Sequence, residues 1–419
     1  MNKALMGLLF SLIAIFVFFS PCFAQKITLK QAIDEAVFHN PKLLKADQEI
    51  RSAQAGIWEA VTPSNPEFFT ELEEIPAKNR SISDYGEKRY GFTQAFEFPM
   101  AYYYRKKWNN LRENQTRSDY YVIKNDTISE IKVSFYRVLI LENKRNIHEE
   151  IYKLTNQLYH KALIRVEAGD TAPYDTLRVK LDLAEVGNTL LTFESEYETA
   201  LYELKMLLGR KKQDTLEIDG EIVFSPVPMK LETLKQTAMD NHPLLRTALS
   251  HAKQKEIEKK LSWIGLVPNF ELRYFRQEFR DSSPAKAWGG EIGLSVPFWS
   301  YFKERGEIKS ASYNLNAARW HIEEEKRNVL LDIENAYSDV VVAEKHVTNY
   351  QNNILREVQE LVRIASRSYE EGEMGYLEVA EAYRTMNKAN AGYYDALFTY
   401  LSAQAHLEKA VGITLFDVE

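Results

Sequence analysis

Cysteine is almost absent from this sequence: the single one, Cys22, stands close to the N-terminus. A cut after Ala24 removes it, so neither a disulfide framework nor a catalytic thiol is expected in the mature chain. Glycine and proline are missing over two long stretches, 69 residues from Met100 to Ala168 and 65 residues from Glu307 to Glu371. A positive balance is lacking too. With 60 acidic against 53 basic residues the net charge is -7, which argues against a nucleic-acid partner. After the N-terminal stretch no run approaches 18 uninterrupted apolar residues, which argues against any later membrane-spanning helix. The 8 histidines never fall three or four apart, so no helix face offers a ready pair of metal ligands. No acid is grouped with a nucleophile and no glycine-rich phosphate loop is present; no catalytic residue, cofactor or metal site is expected, and the chain does not read as an enzyme.

What is present begins with an export signal. Lys3 precedes an apolar stretch from Ala4 to Phe19, followed by Ser20-Pro21-Cys22-Phe23-Ala24, a pattern that fits a secretory signal over residues 1–24. The stretch falls short of the roughly 20 residues that span a bilayer. A lipidated Cys22 is a further reading, against which Pro21 stands where a small residue is expected.

The two stretches without glycine or proline read as very long helices, because each such breaker costs roughly 1–3 kcal/mol in a helix interior. At about 1.5 Å per residue, each helix is on the order of 95–100 Å long. Apolar residues recur in them every seven positions: Val133, Ile140, Ile147 and Leu154, then Ile333, Val340, Val347, Ile354 and Leu361. Such a stripe is a sign of coiled-coil packing.

An internal repeat organises the rest. Leu29–Leu44 resembles Leu231–Leu245 with Pro41 matching Pro243; Phe98-Pro99 matches Val296-Pro297; Gly169 matches Gly372; Gly209 matches Gly412. Each copy reads as a short helix, a second helix opened by proline, two strands, the long helix, a glycine turn and a last helix. The first copy covers 25–219, with strands at about 66–75 and 88–98 and the long helix at about 102–168. The second covers 220–419, with strands at about 268–279 and 287–297 and the long helix at about 302–371; Pro226 and Pro228 mark the linker. The second and last helices of a copy together nearly equal the long one, so stacked end to end they can line it.

The strands alternate with period two. Phe68, Thr70, Leu72, then Tyr90, Phe92, Phe96, then Phe270, Leu272, Tyr274, then Trp288, Ile292, Leu294 make one apolar face, opposite Glu, Gly and Ser partners. Strands of about 10 residues suit a tilted bilayer crossing, and Tyr90, Phe98, Tyr274 and Trp288 are expected near strand ends, as interfacial girdles require. The lipid-facing set is then Phe68, Leu72, Phe92, Phe96, Phe270, Leu272, Ile292 and Leu294, with the small residues toward a lumen. Four strands cannot close a barrel and open edges are not tolerated in lipid. Three chains supply twelve strands, a plausible barrel, and two chains only eight, whose interior side chains would fill, so the expected fold is mostly α with a membrane β-barrel shared between chains.

The doubled unit, the Asn40-Pro41 and His242-Pro243 helix starts, the strand-ending Phe98-Pro99 and Val296-Pro297, and the Gly169 and Gly372 turns resemble the TolC-like outer-membrane efflux proteins. That resemblance covers essentially the whole mature chain. It implies a homotrimer whose 12-stranded barrel in the bacterial outer membrane continues as a long α-helical tunnel through the periplasm, the whole serving as an exit duct. It also implies a periplasmic adaptor, or membrane fusion protein, and an inner-membrane transporter, for which the resistance-nodulation-division type is one candidate. Carried over from the glycine turn, the family's constricting acids fall on Glu378 and Glu381, its gate tyrosine on Tyr369 and the aspartate it contacts on Asp175. Met374 departs from the pattern, standing where a gate arginine is expected. Arg165, Val166, Gly169 and Gly372 are the expected adaptor contacts. The rival reading is a secreted periplasmic coiled-coil scaffold or adaptor whose strands form a small soluble domain. The exported substrate, whether drug, metal cation or polypeptide, is not legible.

Overall fold

The computed structural model describes residues 26–75, 81–83, 85–169, 173–227, 229–280, 286–298 and 302–415. The expected signal segment with Cys22, the linker residue Pro228, and the side chain of Asp175 lie outside the described residues. The first copy runs β1 (Lys26–Ile27), α1 (Leu29–His39), α2 (Pro41–Val61), β2 (Glu67–Glu73), β3 (Glu87–Phe96), α3 (Pro99–Glu167), α4 (Pro173–Leu207) and β4 (Glu217–Ile218). The second runs α5 (Leu231–Asn241), α6 (Pro243–Ile264), β5 (Asn269–Phe279), β6 (Lys286–Ser295), α7 (Lys303–Asn349), a π-turn (Tyr350–Ile354), α8 (Leu355–Glu370) and α9 (Tyr376–Val411).

Local chemistry sets the helix starts. Thr28 and Gln31 form a capping box at α1. Pro41, Pro99 and Pro243 sit at the first position of α2, α3 and α6, where a missing N–H is harmless. Asn40 caps α2, its Oδ1 accepting from Lys42 N at 2.8 Å, and donates its amide to Leu207 O at 2.7 Å. The end of α4 is thereby pinned to the start of α2. His242 occupies the same place in the second copy, its Nδ1 accepting from Leu244 N at 3.3 Å while its ring reaches the backbone of Lys409 and Ala410. Gly209 and Gly412, with φ of 78° and 81°, turn the chain at these joints, against His39 and His242. The α2/α4 stack therefore lies along α3, and the α6/α9 stack lies between α3 and the α7/α8 rod.

The core sits around these joints. Val329, Ile333, Val340 and Val347 of α7 pack with Leu397, Tyr400, Leu401 and Leu407 of α9 and with Leu234 of α5. Ile131, Phe135 and Val138 of α3 pack with Leu201 and Leu204 of α4 and with α1. Each such fully buried aliphatic stabilises by about 1.5–3 kcal/mol. The two-residue strands β1 and β4 pair in parallel here, a ladder too short to leave a sequence pattern.

The second long helix departs from expectation. It is interrupted by the π-turn, which inserts one extra residue per turn without any glycine or proline to mark it. The seven-residue stripe therefore slips by one. Leu361, expected to continue it, is 45% exposed, and the inward residues become Val362, Ala365 and Tyr369. In α3, Ile140 is buried but Leu154 at the end of the expected stripe is exposed, because α3 is covered by several helices along its middle rather than by one seam.

The four longer strands form one antiparallel sheet in the order β2-β3-β5-β6, leaving one edge of β2 and one of β6 open within a single chain. The two copies are thus joined through the β3–β5 pairing, from Glu87↔Phe279 to Phe96↔Phe270.

Candidate channel gate and membrane face

Registers across the sheet put the apolar residues on one face. Phe68 lies beside Phe92 and Phe92 beside Tyr274; Phe96 lies beside Phe270 and Phe270 beside Leu294; Leu272 lies beside Ile292. Phe96 and Phe270 stack at 5.4 Å, which leaves both half-buried, as Leu72 is, while Phe68, Ile292 and Leu294 stand 83%, 76% and 69% exposed. Tyr274, expected near a strand end, instead occupies the middle of β5, although the strand's bounds nearly match the expected 268–279. The row nearer the turns is Thr70, Tyr90, Arg276 and Trp288.

The opposite face is more charged than the expected lining of small residues. Arg273 meets Glu71 and lies over the Phe69 ring at 3.9 Å. Arg89 pairs with Glu87 at 2.6 Å and Glu73 at 3.4 Å. Glycine still has a specific use there: a Cβ at Gly91 would strike Tyr274 O at 2.0 Å, and one at Gly289 the Phe275 ring at 2.4 Å. Gly289 thus makes room for the Phe275 ring, and Gly91 for the close approach of the β5 backbone.

The other candidate site is the far end of the long helices. Gly169 and Gly372 take φ of 82° and 79°, and a Cβ at either would meet nothing within 4 Å, so both turns are exposed tips. Arg165 and Val166 lie half-buried in the last turn of α3. The Arg165 guanidinium sits 5.5 Å from the centre of the Tyr369 ring, a cation–π contact that joins the first tip to the second. Tyr369 also packs with Ala162, Val179 and Tyr376. Met374 lies in the turn, partly exposed.

Glu378 and Glu381 occupy one exposed side of α9, with Val379, Ala380 and Ala382 buried behind them. Each has a local partner. Glu378 is the acidic residue of the first turn of α9 and folds back toward Gly375, the helix cap, where the helix dipole favours a carboxylate. Glu381 has Arg384 at 3.6 Å.

A cluster not anticipated from the sequence ties the two tips together. Tyr376 donates its hydroxyl to Asp182 Oδ2 at 2.8 Å, and Arg384 donates to Asp182 Oδ1 at 2.6 Å. Burial, reinforced by the Asp182 carboxylate, pushes the Tyr376 hydroxyl far above its usual range. A signal existed: Asp182 follows Asp175 by seven residues, and Tyr376 follows Tyr369 by seven. The three residues line a cavity of about 220 Å³ between α3, α4 and α9, together with His148 and Asn387. Among the described residues no group of three or more His, Cys, Asp or Glu could hold a metal ion, and no helix is long and apolar enough to cross a membrane.

Residues 235–413, most of the second copy, match the family model described as outer membrane efflux protein. The whole doubled architecture is met in solved channels. The Campylobacter jejuni CmeC outer membrane channel superposes with a TM-score of 0.78 at 15% identity, covering 92% of this chain and 85% of that one. The second copy of the unit thus carries the sequence pattern of outer membrane efflux proteins. The chain is 21% identical to the cobalt-zinc-cadmium resistance protein CzcC of Cupriavidus metallidurans over 93% of its length and 91% of that protein's. It is 20% identical to the outer membrane protein TolC of Salmonella enteritidis, over 93% of this chain and 82% of that one. The similarity to outer membrane efflux proteins places the chain in the bacterial outer membrane.

Proposed function

We infer that this chain is the exit duct of a tripartite system, passing substrate from an inner-membrane transporter and a periplasmic adaptor to the outside. It is a conduit rather than an enzyme. The observation that carries the reading is the sheet: four strands with an apolar outer face and two open edges, joined directly to helical rods on the order of 100 Å long. In lipid such edges must be paired, and three copies supply a twelve-stranded barrel whose α-helical stacks continue as a tunnel. The same exposed face disfavours a soluble scaffold, since a sheet showing Phe68, Ile292 and Leu294 to water would aggregate.

In this reading Glu378 and Glu381 form the constriction, Tyr369 and Asp175 help close it, and Arg165, Val166, Gly169 and Gly372 meet the adaptor. Metal cations are the substrate class we favour, supported by the similarity to CzcC and by the acidic constriction. A transporter of the resistance-nodulation-division type is the matching pump.

Extraction tests the first part: the protein should leave outer-membrane fractions only with detergent, as a heat-sensitive trimer. Recovery as a soluble monomer would overturn it. Deleting the gene should raise sensitivity to zinc, cobalt or cadmium salts. Sensitisation to hydrophobic drugs alone would discard the metal reading and leave the duct standing. Single-channel recordings test the constriction, with Glu378→Ala and Glu381→Ala together expected to abolish cation preference and divalent block.

A further inference from the structure

We propose that Arg384, anchored by Asp182, sets the charge of the tip constriction, tempering the cation preference that Glu378 and Glu381 confer. The proposal rests on the reading of those two acids as the constriction and assigns them a regulator. Both oxygens of Asp182 are engaged, one by the Tyr376 hydroxyl at 2.8 Å and the other by Arg384 at 2.6 Å. The Asp182 side chain is only 16% exposed, whereas Arg384 is 46% exposed. A partly buried carboxylate on α4 thus holds a half-exposed guanidinium on α9 in one position. Asp182 is a positioning residue.

The position matters because of what lies on the other side of the guanidinium. Its Nη1 stands 3.6 Å from Glu381 Oε2, and the Glu381 side chain is 68% exposed. That separation is an ion pair without a tight hydrogen bond, so Glu381 keeps a partly countered charge facing outward. No basic side chain among the described residues pairs with Glu378 in this way. Each protomer therefore brings two carboxylates and one guanidinium to the constriction. An acidic ring without the arginine would hold a divalent ion more tightly and release it more slowly. Passage requires binding weak enough to leave.

Single-channel recordings of the full-length trimer in planar bilayers give the test, reading the K⁺/Cl⁻ reversal potential and the concentration of Mg²⁺ that halves conductance. Arg384→Gln is expected to raise cation preference and tighten Mg²⁺ block on the order of fivefold, the size expected when a unit charge is removed several ångströms from an ion near a protein surface. Arg384→Lys should stay near the unsubstituted channel. Asp182→Asn should move both readouts the opposite way, because it deletes a negative charge and frees the guanidinium to approach Glu381. A merely structural role would shift Arg384→Gln and Asp182→Asn in the same direction, and that result overturns the proposal. So does an unchanged Arg384→Gln channel when Glu378→Gln with Glu381→Gln loses its cation preference. If the double acid variant itself changes nothing, the constriction reading fails first, and the role of Arg384 with it.

Discussion

Acidification should loosen the helix joint at His242 and spare the equivalent joint at Asn40. His242 is 6% exposed, and its neutral Nδ1 accepts the N–H of Leu244, capping α6. Burial holds its pKa below the usual value; hydrogen bonding to the backbone at Lys409 and Ala410 and the charges of Asp332 and Asp126 oppose that shift without cancelling it. Asp126 on α3, Asp332 and Asp339 on α7, and His406 and Lys409 on α9 line the groove it faces. Protonation turns Nδ1 into a donor pointed at another donor, and the cap is lost. The unfolded histidine binds its proton near 6.5, and the folded one only at lower pH. Between those two values the unfolded state carries more protons, so stability is full above about 6.5 and falls as pH drops toward the folded pKa, by up to about 1.4 kcal/mol per pH unit. His148, His251 and His406 are lowered by burial as well and contribute with the same sign. The effect of His242 must therefore be read as a difference. His242→Asn supplies the control, because Asn40 already makes both bonds in the first copy, at 2.8 and 2.7 Å. Thermal unfolding of the detergent-solubilised protein from about pH 7 to about pH 5 should show the variant gaining about 1–3 °C on the unsubstituted protein as pH falls. A difference that does not change with pH refutes the assignment, whatever its size.

Other consequences follow from particular contacts. Lys132 and Glu408 form a buried pair at 2.5 Å, 3% and 8% exposed, and burial with the Glu408 charge pushes the neighbouring Tyr136 hydroxyl up to about 12. Lys132→Met should cost about 3–5 kcal/mol in denaturant unfolding by stranding the carboxylate, and adding Glu408→Leu should recover most of it. Gly209, Gly412, Gly169 and Gly372 share a left-handed backbone, which alone makes alanine unfavourable by about 1 kcal/mol. A Cβ at Gly209 would sit 2.5 Å from His39 O, and one at Gly412 2.9 Å from the His242 ring. Alanine at these two should therefore lower the melting temperature distinctly more than alanine at Gly169 or Gly372. Deleting Asn352 removes the extra residue, so the π-turn should heal into α-helix while Val362, then fourteen positions after Val347, stays inward with Ala365 and Tyr369. The cleavage pattern of the α8–α9 tip by added protease should therefore be unchanged, and a shifted pattern would refute the register argument.

Much of this molecule was legible because its logic is repetitive. Two copies of Asn/His-Pro starts, strand-ending prolines and glycine turns locate every long element, since each depends on a local backbone rule that a sequence displays. The alternation of Phe68, Leu72, Phe92, Phe270 and Ile292 likewise followed from the period of a strand. Tyr274 was misplaced because its aromatic character, and not its position within the expected 268–279, put it near a strand end; β5 runs Asn269–Phe279, with Tyr274 at its centre. The slip of the stripe after Val347 was invisible because a π-turn needs no special residue, only the Tyr350 ring seated over Gly392 on another helix.

By itself the sequence determined the duplicated unit, the lengths of its helices, the sided strands and the positions of both tips. Each of these is governed by spacing along one chain. Tertiary structure alone decided which distant groups meet: Asn40 with Leu207, His242 with the end of α9, Arg165 with Tyr369, and Asp182 with both Tyr376 and Arg384. Glu378 and Glu381 could be placed on one helix face from their spacing. That one of them shares its charge with an arginine held from another helix could not, because electrostatic partnership depends on a few ångströms in space and not on separation in sequence.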